Sequence, residues 1–365
     1  MHSLTIKALT DAVGQGITPR MVRHYHQLGL MPQPQRSSGN YRLYSEQDIQ
    51  RLKRIVALKQ QGFQLSHIHK LLQVEPEVEQ TEMMMAQLQL QYRSVMQQII
   101  QLRQTAAALE GLLGRDQPCQ TIQAEALSQL KWLEVETQAE LEKLWSGLDA
   151  QVHAHPESFT ESLQRLLPDL STRSEIEADL LAKLVLACGD VSLVPFVRLS
   201  RSQNAIAAAR TALQAGCSVV VDSVTVAAAL DQTRLMHLGC TIETLIQNPH
   251  IHTAAEAEQE FWRDRILQQR FQQLPVGCIL VVGYAPSVLL AVCEAIAQGT
   301  LQPALVIGMP IGFSHAPAAK RWLMRSPVAS ITIDGTIGGG LLAATALNAL
   351  ADSLIEKPDC HCYLG

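Results

Sequence analysis

The sequence TPRMVRHYHQLG, residues 18–29, contains both the start and the stop signal of one short helix. Thr18 is an N-cap residue type, and the proline after it suits the first helical position because proline lacks an N–H that would have no partner there. Gly29 is of the residue type that most often ends a helix. The segment therefore predicts a compact helix whose projecting side chains can reach base edges and phosphates. The residues expected to contact DNA from this segment are Thr18, Arg20, Arg23 and Tyr25.

A small β-like wing follows this helix. Residues 31–36 contain two prolines and cannot be helical throughout. Residues 38–40 (SGN) have turn chemistry, and residues 41–44 (YRLY) alternate like a short strand. Two further helices are predicted between residues 45 and 72. The wing side chains expected to bind the phosphate backbone are Arg36, Tyr41, Arg42 and Tyr44.

The charge is unevenly distributed along the chain. Residues 1–74 hold ten Lys and Arg against three acidic residues, a balance of +7, whereas the whole chain has a net charge of −5. A basic first module ahead of a remainder of −12 is typical of a protein that presents one end to a polyanion such as double-stranded DNA. A merely solvated basic face is the alternative that charge alone leaves open.

The composition narrows the class of protein. A chain of 365 residues suggests two or three domains, and 47% hydrophobic against 17% charged residues excludes bulk disorder. No apolar run reaches the roughly 18 residues that a membrane-spanning helix needs, and the N-terminus lacks the pattern of a signal peptide. We therefore expect a cytoplasmic protein without a membrane partner, whose eight cysteines stay reduced.

An apolar heptad pattern runs from about residue 81 to residue 113. The alternating three- and four-residue spacing continues for four heptads, and the segment is otherwise rich in Gln. The pattern predicts a coiled-coil dimerisation helix over residues 80–113, and hence a homodimer; a long helix packed on its own domain is the alternative. The seam residues are Met85, Tyr92, Ile99, Ala106 and Leu113 at one heptad position and Leu88, Val95, Leu102 and Leu109 at the other.

From about residue 158 the pattern changes to short, β-branched apolar runs that alternate with helices. Strands are predicted at residues 183–187, 217–221, 278–282 and 304–307, and helices at 205–214, 287–298 and 341–354. This alternation favours a doubly wound α/β domain with its ligand site at the carboxyl ends of the strands.

The chain is thus expected to be multidomain. An α-helical winged helix-turn-helix and a coiled-coil helix precede the α/β doubly wound domain. The predicted parts are a DNA-binding domain (1–75), the dimerisation helix (80–113), a connector (114–157), a sensing domain (158–355) and a terminal tail (356–365).

Residues 22–32 (VRHYHQLGLMP), with Arg36 and residues 39–44 (GNYRLY), resemble the winged helix-turn-helix of the MerR family, and the match extends over about residues 4–73. The resemblance implies a homodimer that untwists an over-long promoter spacer, so that RNA polymerase can use both promoter elements. Recognition by DNA deformation is physically reasonable, because its cost depends on the sequence being deformed. His24 and His26 depart from the family's more frequent Tyr and Glu; surface and cap packing is expected for them, with pH sensing as the alternative.

Five motifs of the second half, in order, resemble precorrin-8X methylmutase, the precorrin isomerase of cobalamin synthesis. They are residues 187–190 (ACGD), 221–223 (VDS), 282–287 (VGYAPS), 308–313 (GMPIGF) and the glycines of 335–340 leading into Asn348-Ala349-Leu350.

The resemblance implies a binding site for a corrin precursor without the catalytic group. In that family a His, the proposed proton donor, stands at the position of Leu186, and an isobutyl group cannot donate a proton. We therefore expect no enzyme activity. Thr336 and Ile337 also depart from the family, which has basic or polar residues there. The residues expected to line the tetrapyrrole pocket are Leu186, Asp190, Arg198, Arg201, Asp222, Pro286, Gly312, Phe313, Gly338 and Gly339.

The terminal residues Cys360, His361 and Cys362 place two thiols around an imidazole, which are soft and borderline donors for a metal ion. A Cys-X-Cys that occurs by accident is the alternative. Such donors bind zinc or copper at least as well as cobalt, so selectivity needs geometry, further ligands or metal availability. Supplementary ligands could come from His250, His252 and His315, although packing or loop roles are expected for these.

Together these parts resemble the cobalt-responsive activators of the MerR family. The resemblance implies a cobalt ion as effector and activation of a cobalt-efflux gene by promoter distortion. A corrin precursor, hydrogenobyrinic acid or precorrin-8x, is a hypothesis for a second effector. Two alternatives stay open at this point: an active precorrin-8X methylmutase fused to an autoregulatory DNA-binding module, and a sensor of the corrinoid alone.

Overall fold

The computed structural model of the protein describes residues 4–14, 16–37, 39–60, 63–73, 78–113, 157–200, 202–264 and 270–358. The chain divides into two units, residues 1–109 and 110–365. No helix among the described residues is long and apolar enough to cross a membrane.

The first unit consists of helices and one hairpin. Its helices are α1 (Ile6–Val13), α2 (Pro19–Gln27), α3 (Glu46–Gln60), α4 (Leu65–Gln73) and α5 (Val78–Leu113). The strands β1 (Gln35–Arg36) and β2 (Arg42–Leu43) pair antiparallel between α2 and α3.

The start and stop of α2 follow the signals in its sequence. The Thr18 side chain accepts a hydrogen bond from the backbone N–H of Met21 at 3.3 Å, as an N-cap does. Gly29 has φ of +72°, and a Cβ added there would lie 2.8 Å from Nε2 of His69 on α4. Only glycine suits both the backbone conformation and this close approach. The helix ending predicted from the sequence is therefore correct.

Five seam residues of α5 are exposed to solvent, and the seam residues Leu88 and Ala106 are partly exposed. Tyr92, Val95 and Ile99 are 66%, 42% and 49% exposed, and Leu102 and Leu109 are 70% and 51% exposed. An apolar stripe of this length is normally covered by another surface.

The second unit contains one six-stranded sheet. Its strands are β3 (Val197–Leu199), β4 (Ser218–Ser223), β5 (Thr241–Ile246), β6 (Ile279–Val282), β7 (Leu305–Gly308) and β8 (Ser330–Ile333). They lie in the order β3-β8-β7-β6-β4-β5, and all neighbours are parallel except β3 and β8. The order reverses between β4 and β6, because β5 and β6 lie on opposite sides of β4.

Helices cover both faces of this sheet. They are α6 (Phe159–Leu166), α7 (Glu175–Cys188), α8 (Ala205–Gln214), α9 (Val224–Ala229), α10 (Gln232–His237), α11 (Ala254–Arg263), α12 (Pro286–Ala297), α13 (His315–Arg325) and α14 (Gly340–Glu356). One core joins α7, α8 and α14 to the strand residues of one face, including Val219 and Val221. The other joins α11, α12 and α13 to the alternate residues, including Val220 and Leu280.

One predicted strand is wrong. Residues 183–187 form the last part of α7 instead. Their apolar run resembles a buried strand because this turn of the helix meets the core with Leu184 and Val185. The predicted strands at 217–221, 278–282 and 304–307 correspond to β4, β6 and β7.

Candidate DNA interface and ligand site

A basic groove lies on the first unit between α1, α2 and the β1–β2 hairpin. Its volume is about 260 Å³, and it is lined by Thr5, Ile6, Arg23, Arg36, Asn40, Tyr41 and Arg42. Four of the eight side chains predicted to bind DNA, three of them arginines, thus share one concave surface. Guanidinium groups in this arrangement can bind successive phosphates of a DNA backbone.

The hairpin gives the groove a defined wall. Asn40 has φ of +63° at the turn, and its Oδ1 accepts a hydrogen bond from Nη1 of Arg36 at 2.5 Å. Tyr41 is 74% exposed beside them. Arg20 is exposed on the first turn of α2, next to the cap residue Thr18. These placements leave the arginines and Tyr41 accessible to a large polyanion.

Tyr25 and Tyr44 occupy positions different from those expected. They are 1% and 2% exposed and pack in the core of the first unit, so the prediction that they project toward DNA is wrong. Tyr44 Oη lies 3.2 Å from Nε2 of His26, and burial raises the pKa of Tyr44. Burial likewise lowers the pKa of His26. Tyr25 faces inward because α2 must present an apolar side to the core of the first unit, and Tyr44, which follows β2, packs in the same core.

In the second unit, the predicted pocket residues follow the carboxyl ends of neighbouring parallel strands. Asp222 is the penultimate residue of β4, Pro286 begins α12 after β6, and Gly312 follows β7. Gly338 and Gly339 lie between β8 and α14. Because β3 is antiparallel, the segment from Asp190 to Phe196 that precedes it lies at the same edge, where the Phe196 carbonyl accepts the N–H of Asp334 at 2.8 Å. Parallel α/β sheets bind ligands at this edge, where the strand order reverses.

Asp222 connects the two strands on either side of the reversal. It is fully buried, and its Oδ2 accepts hydrogen bonds from the backbone N–H groups of Gly283, Tyr284 and Ala285 at 3.0, 2.6 and 3.0 Å. Its Oδ1 is buried without a hydrogen-bond partner among the described residues. Burial raises the pKa of Asp222 to about 6, although the three N–H groups oppose this shift. The carboxyl therefore fixes the loop after β6.

This geometry gives a pH-dependent stability. A carboxyl whose folded pKa lies above its unfolded value stabilises the fold while protonated and loses that contribution as the pH rises. Relative to Asp222→Asn, we expect the free energy of unfolding of the wild type to fall by about 3 kcal/mol between about pH 3 and pH 7, with the steepest change between the unfolded and folded pKa values. Urea titrations of both proteins across this range measure the difference. Asn is the control because its side chain keeps an acceptor oxygen for the three N–H groups. A difference between the two unfolding free energies that does not vary with pH would contradict the assignment.

The glycine-rich segment packs directly against the neighbouring strand end. A Cβ on Gly338 would overlap the carbonyl oxygen of Met309, and the N–H of Gly339 donates to the same oxygen at 2.7 Å. Lys320 on α13 is fully buried and donates from Nζ to the carbonyls of Gly335 and Ile337 at 3.1 and 2.5 Å. Burial lowers the pKa of Lys320 to about 8.

Lys320 positions this segment, although no sequence motif singled it out. A lone Lys in an amphipathic helix has no local signal that distinguishes a buried cation from a solvated one.

Large apolar side chains are exposed around this edge. Phe313 is 91% exposed, and Ile311, Ile337 and Leu341 are 43%, 46% and 57% exposed. Exposed apolar side chains grouped beside a buried polar framework indicate a surface for a largely apolar ligand. Leu186 is 48% exposed in the last turn of α7.

Asp190 and Arg198 have local partners. Asp190 Oδ1 accepts hydrogen bonds from the N–H and hydroxyl of Ser192 at 2.9 and 2.6 Å and so caps the short helix Val191–Phe196. Arg198 Nη1 donates to the carbonyls of Pro195 and Val197 at 2.5 and 3.3 Å, and its side chain lines a separate groove beside β3. Arg201 lies outside the described residues.

The predicted metal ligands Cys360, His361 and Cys362 also lie outside the described residues. Within the described part of the chain, no group of three or more His, Cys, Asp or Glu side chains is arranged to hold a metal ion. His250 and His252 are exposed, and Nδ1 of His315 lies 3.6 Å from Oε1 of Glu258. The three histidines therefore do not form a metal cluster with each other or with described acidic side chains.

A buried arginine holds the chain just before this tail. Arg210 is 1% exposed, and its Nη1 donates to the carbonyl and hydroxyl oxygens of Ser353, both at 2.8 Å. Its Nη2 donates to the carbonyls of Lys357 and Pro358 at 3.1 and 3.0 Å. The point from which the tail starts is therefore set by α8.

Comparison with known proteins matches both units. Residues 157–353 match the family model for precorrin-8X methylmutase, and residues 5–75 match that for the MerR HTH family regulatory protein.

Individual relatives agree with these two matches. A precorrin-8X methylmutase of Sinorhizobium sp is 31% identical over 193 residues, which cover 50% of this chain and 86% of the relative. One from Pseudomonas aeruginosa is 33% identical, covering 47% and 82%. The mercuric resistance operon regulatory protein of Bacillus cereus is 42% identical over 59 residues, 16% of this chain and 45% of the relative. The crystal structure of a precorrin-8x methyl mutase from Thermus thermophilus has 34% identity and a TM-score of 0.45, covering 55% of this chain and 96% of that one.

Proposed function

Because the chain belongs to the precorrin-8X methylmutase family and carries a MerR-type helix-turn-helix segment ahead of that domain, we propose that it is a cobalt-responsive transcriptional activator. Its first unit binds promoter DNA, and its methylmutase-like domain acts as a receptor for a corrin precursor rather than as an enzyme. The regulated gene, on this proposal, encodes a cobalt exporter.

The shared groove of Arg23, Arg36 and Arg42 is the observation that carries the proposal. Three guanidinium groups around one concave surface, on a unit with excess positive charge, suit the phosphates of a duplex. Side chains from α2 can then reach the major groove, while the hairpin stays on the backbone.

The exposed stripe on α5 supports a dimer. Pairing with α5 of a second copy would cover residues such as Tyr92, Ile99 and Leu102, which are about half or more exposed in a single chain. A two-fold dimer presents two basic grooves to two half-sites, so a change in the angle between them twists the intervening DNA. RNA polymerase bound at such a promoter would use the twisted form.

The ligand edge supports a receptor role. Asp222 and Lys320 hold the loops after β6 and β8 in place, and the exposed apolar side chains beside them suit the face of a tetrapyrrole. Leu186 stands where the methylmutases have their proposed proton donor, and its side chain has no proton to give. In this proposal the domain still binds the corrin precursor but cannot transfer a proton to it.

The metal response is assigned to Cys360, His361 and Cys362. Thiolate and imidazole donors fit Co²⁺, and a bound ion would supply a charge and a fixed ligand geometry to the tail. Arg210 fixes Lys357 and Pro358, so a constraint on the tail acts on a backbone that is already anchored to α8 and α14.

An activity assay separates a receptor from an enzyme. We expect calorimetry to show that the purified protein binds precorrin-8x. The absorption spectrum of the bound precorrin-8x should show no conversion to hydrogenobyrinic acid, because Leu186 cannot act as an acid. Leu186→His tests the reason: any conversion gained by this variant shows that the missing imidazole limits the reaction. Sustained turnover by the wild type would instead favour the alternative, an active methylmutase fused to a DNA-binding module.

A further inference from the structure

A groove of about 630 Å³ lies beside β3. It is lined by Arg198, Leu199, Ser200, Ser202, Gln203, Met324, Arg325, Ser326, Pro327 and Ser330. Ser330 is the first residue of β8, whereas Asp222 lies near the carboxyl end of β4, and Gly312 and Gly338 follow the carboxyl ends of β7 and β8. The groove therefore opens toward the end of the sheet opposite to the proposed corrin-precursor site. Its volume is in the range of pockets that hold metabolite-sized ligands.

The charge of this groove is positive. Among the described residues that line it are two arginines and no acidic side chain. Arg325 has neither an ion pair nor a hydrogen bond with any described residue, and Arg198 uses only Nη1, on the carbonyls of Pro195 and Val197. Those two bonds hold the Arg198 guanidinium in one orientation, with Nε and Nη2 available. Two guanidinium groups that lack acidic partners in one concavity favour an anion.

Hydroxyl groups complete the set of donors. Ser200 Oγ accepts the N–H of Ser330 at 2.9 Å, which directs its own proton elsewhere. Ser326 Oγ is buried and has no hydrogen-bond partner among the described residues. A buried hydroxyl without a partner costs free energy unless a ligand or water binds it.

We propose that this groove binds a small phosphate-bearing metabolite, at a site separate from both the DNA interface and the corrin-precursor edge. The donors come from separate elements, β3 and the end of α13 with the residues that follow it, so they can surround the three terminal oxygens of a phosphate, whereas a carboxylate offers only two coplanar oxygens. The apolar side chains of Leu199, Met324 and Pro327 provide contact for the organic part of the ligand. This inference does not rest on the proposed function.

Arginine modification with phenylglyoxal tests the site residue by residue in the full-length protein. Inorganic pyrophosphate is the probe. The rate is measured separately for each arginine because the basic groove of the first unit is also proposed to bind phosphates, and a bulk titration would not distinguish the two grooves. Pyrophosphate at five times its dissociation constant should slow modification of Arg198 and Arg325 about sixfold, by mass action. Arg321, exposed on the same helix as Arg325 but outside the groove, should change little. Mass spectrometry of the peptides measures each rate.

Variants test whether the two arginines act as one site. Arg325→Gln should abolish the protection of Arg198, whereas Arg321→Gln should leave it unchanged. Equal slowing at all three arginines, or no protection of Arg198 and Arg325 at millimolar pyrophosphate, would overturn the proposal. Protection by citrate as strong as that by pyrophosphate would overturn the assignment to phosphate.

Discussion

Replacing Arg23 and Arg42 together by Gln is expected to weaken operator binding by about 100-fold or more at physiological salt. Both side chains line the basic groove of the first unit, so each substitution removes one guanidinium from the surface proposed to contact phosphates. The slope of log K against log salt should also fall by about two, because two fewer counterions are released. Fluorescence anisotropy with a DNA site selected by the wild type from a random pool measures both quantities.

A variant with the same loss of charge serves as the control. Arg54→Gln with Lys59→Gln removes two positive charges from α3, and both residues are exposed outside the groove. We expect this control to lose much less affinity. Equal losses in the two double variants would show that only net charge matters, and unchanged binding by the first would contradict the assignment of the groove.

Replacing Cys360 and Cys362 together by Ser is expected to abolish cobalt-dependent transcription while DNA binding stays intact. A serine hydroxyl is a much poorer ligand than a thiolate, so the proposed site loses two of its three donors. The metal needs to favour one conformation only about a hundredfold, or about 2.7 kcal/mol, to change the output strongly. Loss of both thiolates removes that preference, so induction should fall to about the basal level. Transcription in vitro over a cobalt titration measures it.

The matched control is Cys119→Ser, the same chemical change outside the tail. It should retain full induction. Undiminished induction in the tail variant would refute the assigned ligands, and equal loss in both variants would indicate a general need for thiols. The absorption spectrum of the cobalt-bound wild type provides an independent readout, since thiolate-to-cobalt charge transfer should disappear only in the tail variant.

The two units differ in how far local sequence predicted them. The signals around α2 act between residues adjacent in the chain, and the Thr18 cap and the Gly29 ending are present as predicted. The buried strands β4, β6 and β7 were found because short apolar runs rich in β-branched residues are typical of the strands of a parallel sheet. Residues 183–187 were mistaken for a strand, since a helix turn facing the core has the same composition.

The direction of side chains was less predictable than the elements that carry them. Tyr25 and Arg23 are on the same helix, two residues apart, yet one is buried in the core and the other lines the groove. Which face of α2 is covered depends on α1 and α3, which no pattern within α2 itself specifies. The same reasoning applies to Arg198, whose neighbours across the groove come from the end of α13.

By itself, the sequence determined where α2 begins and ends, the two families to which the parts are similar and the donor types at the terminal tail, because capping, motifs and side-chain chemistry are local properties. Only the tertiary structure decided that three arginines share one groove, that Asp222 binds the loop after β6, and that Lys320 and Arg210 are buried cations clamping backbone carbonyls. Those contacts join residues up to 148 positions apart, as in the bond from Arg210 to Pro358. Which side chains are buried, and which hydrogen bonds they form across such separations, depends on strand order and helix packing. These exist only once the whole domain has folded.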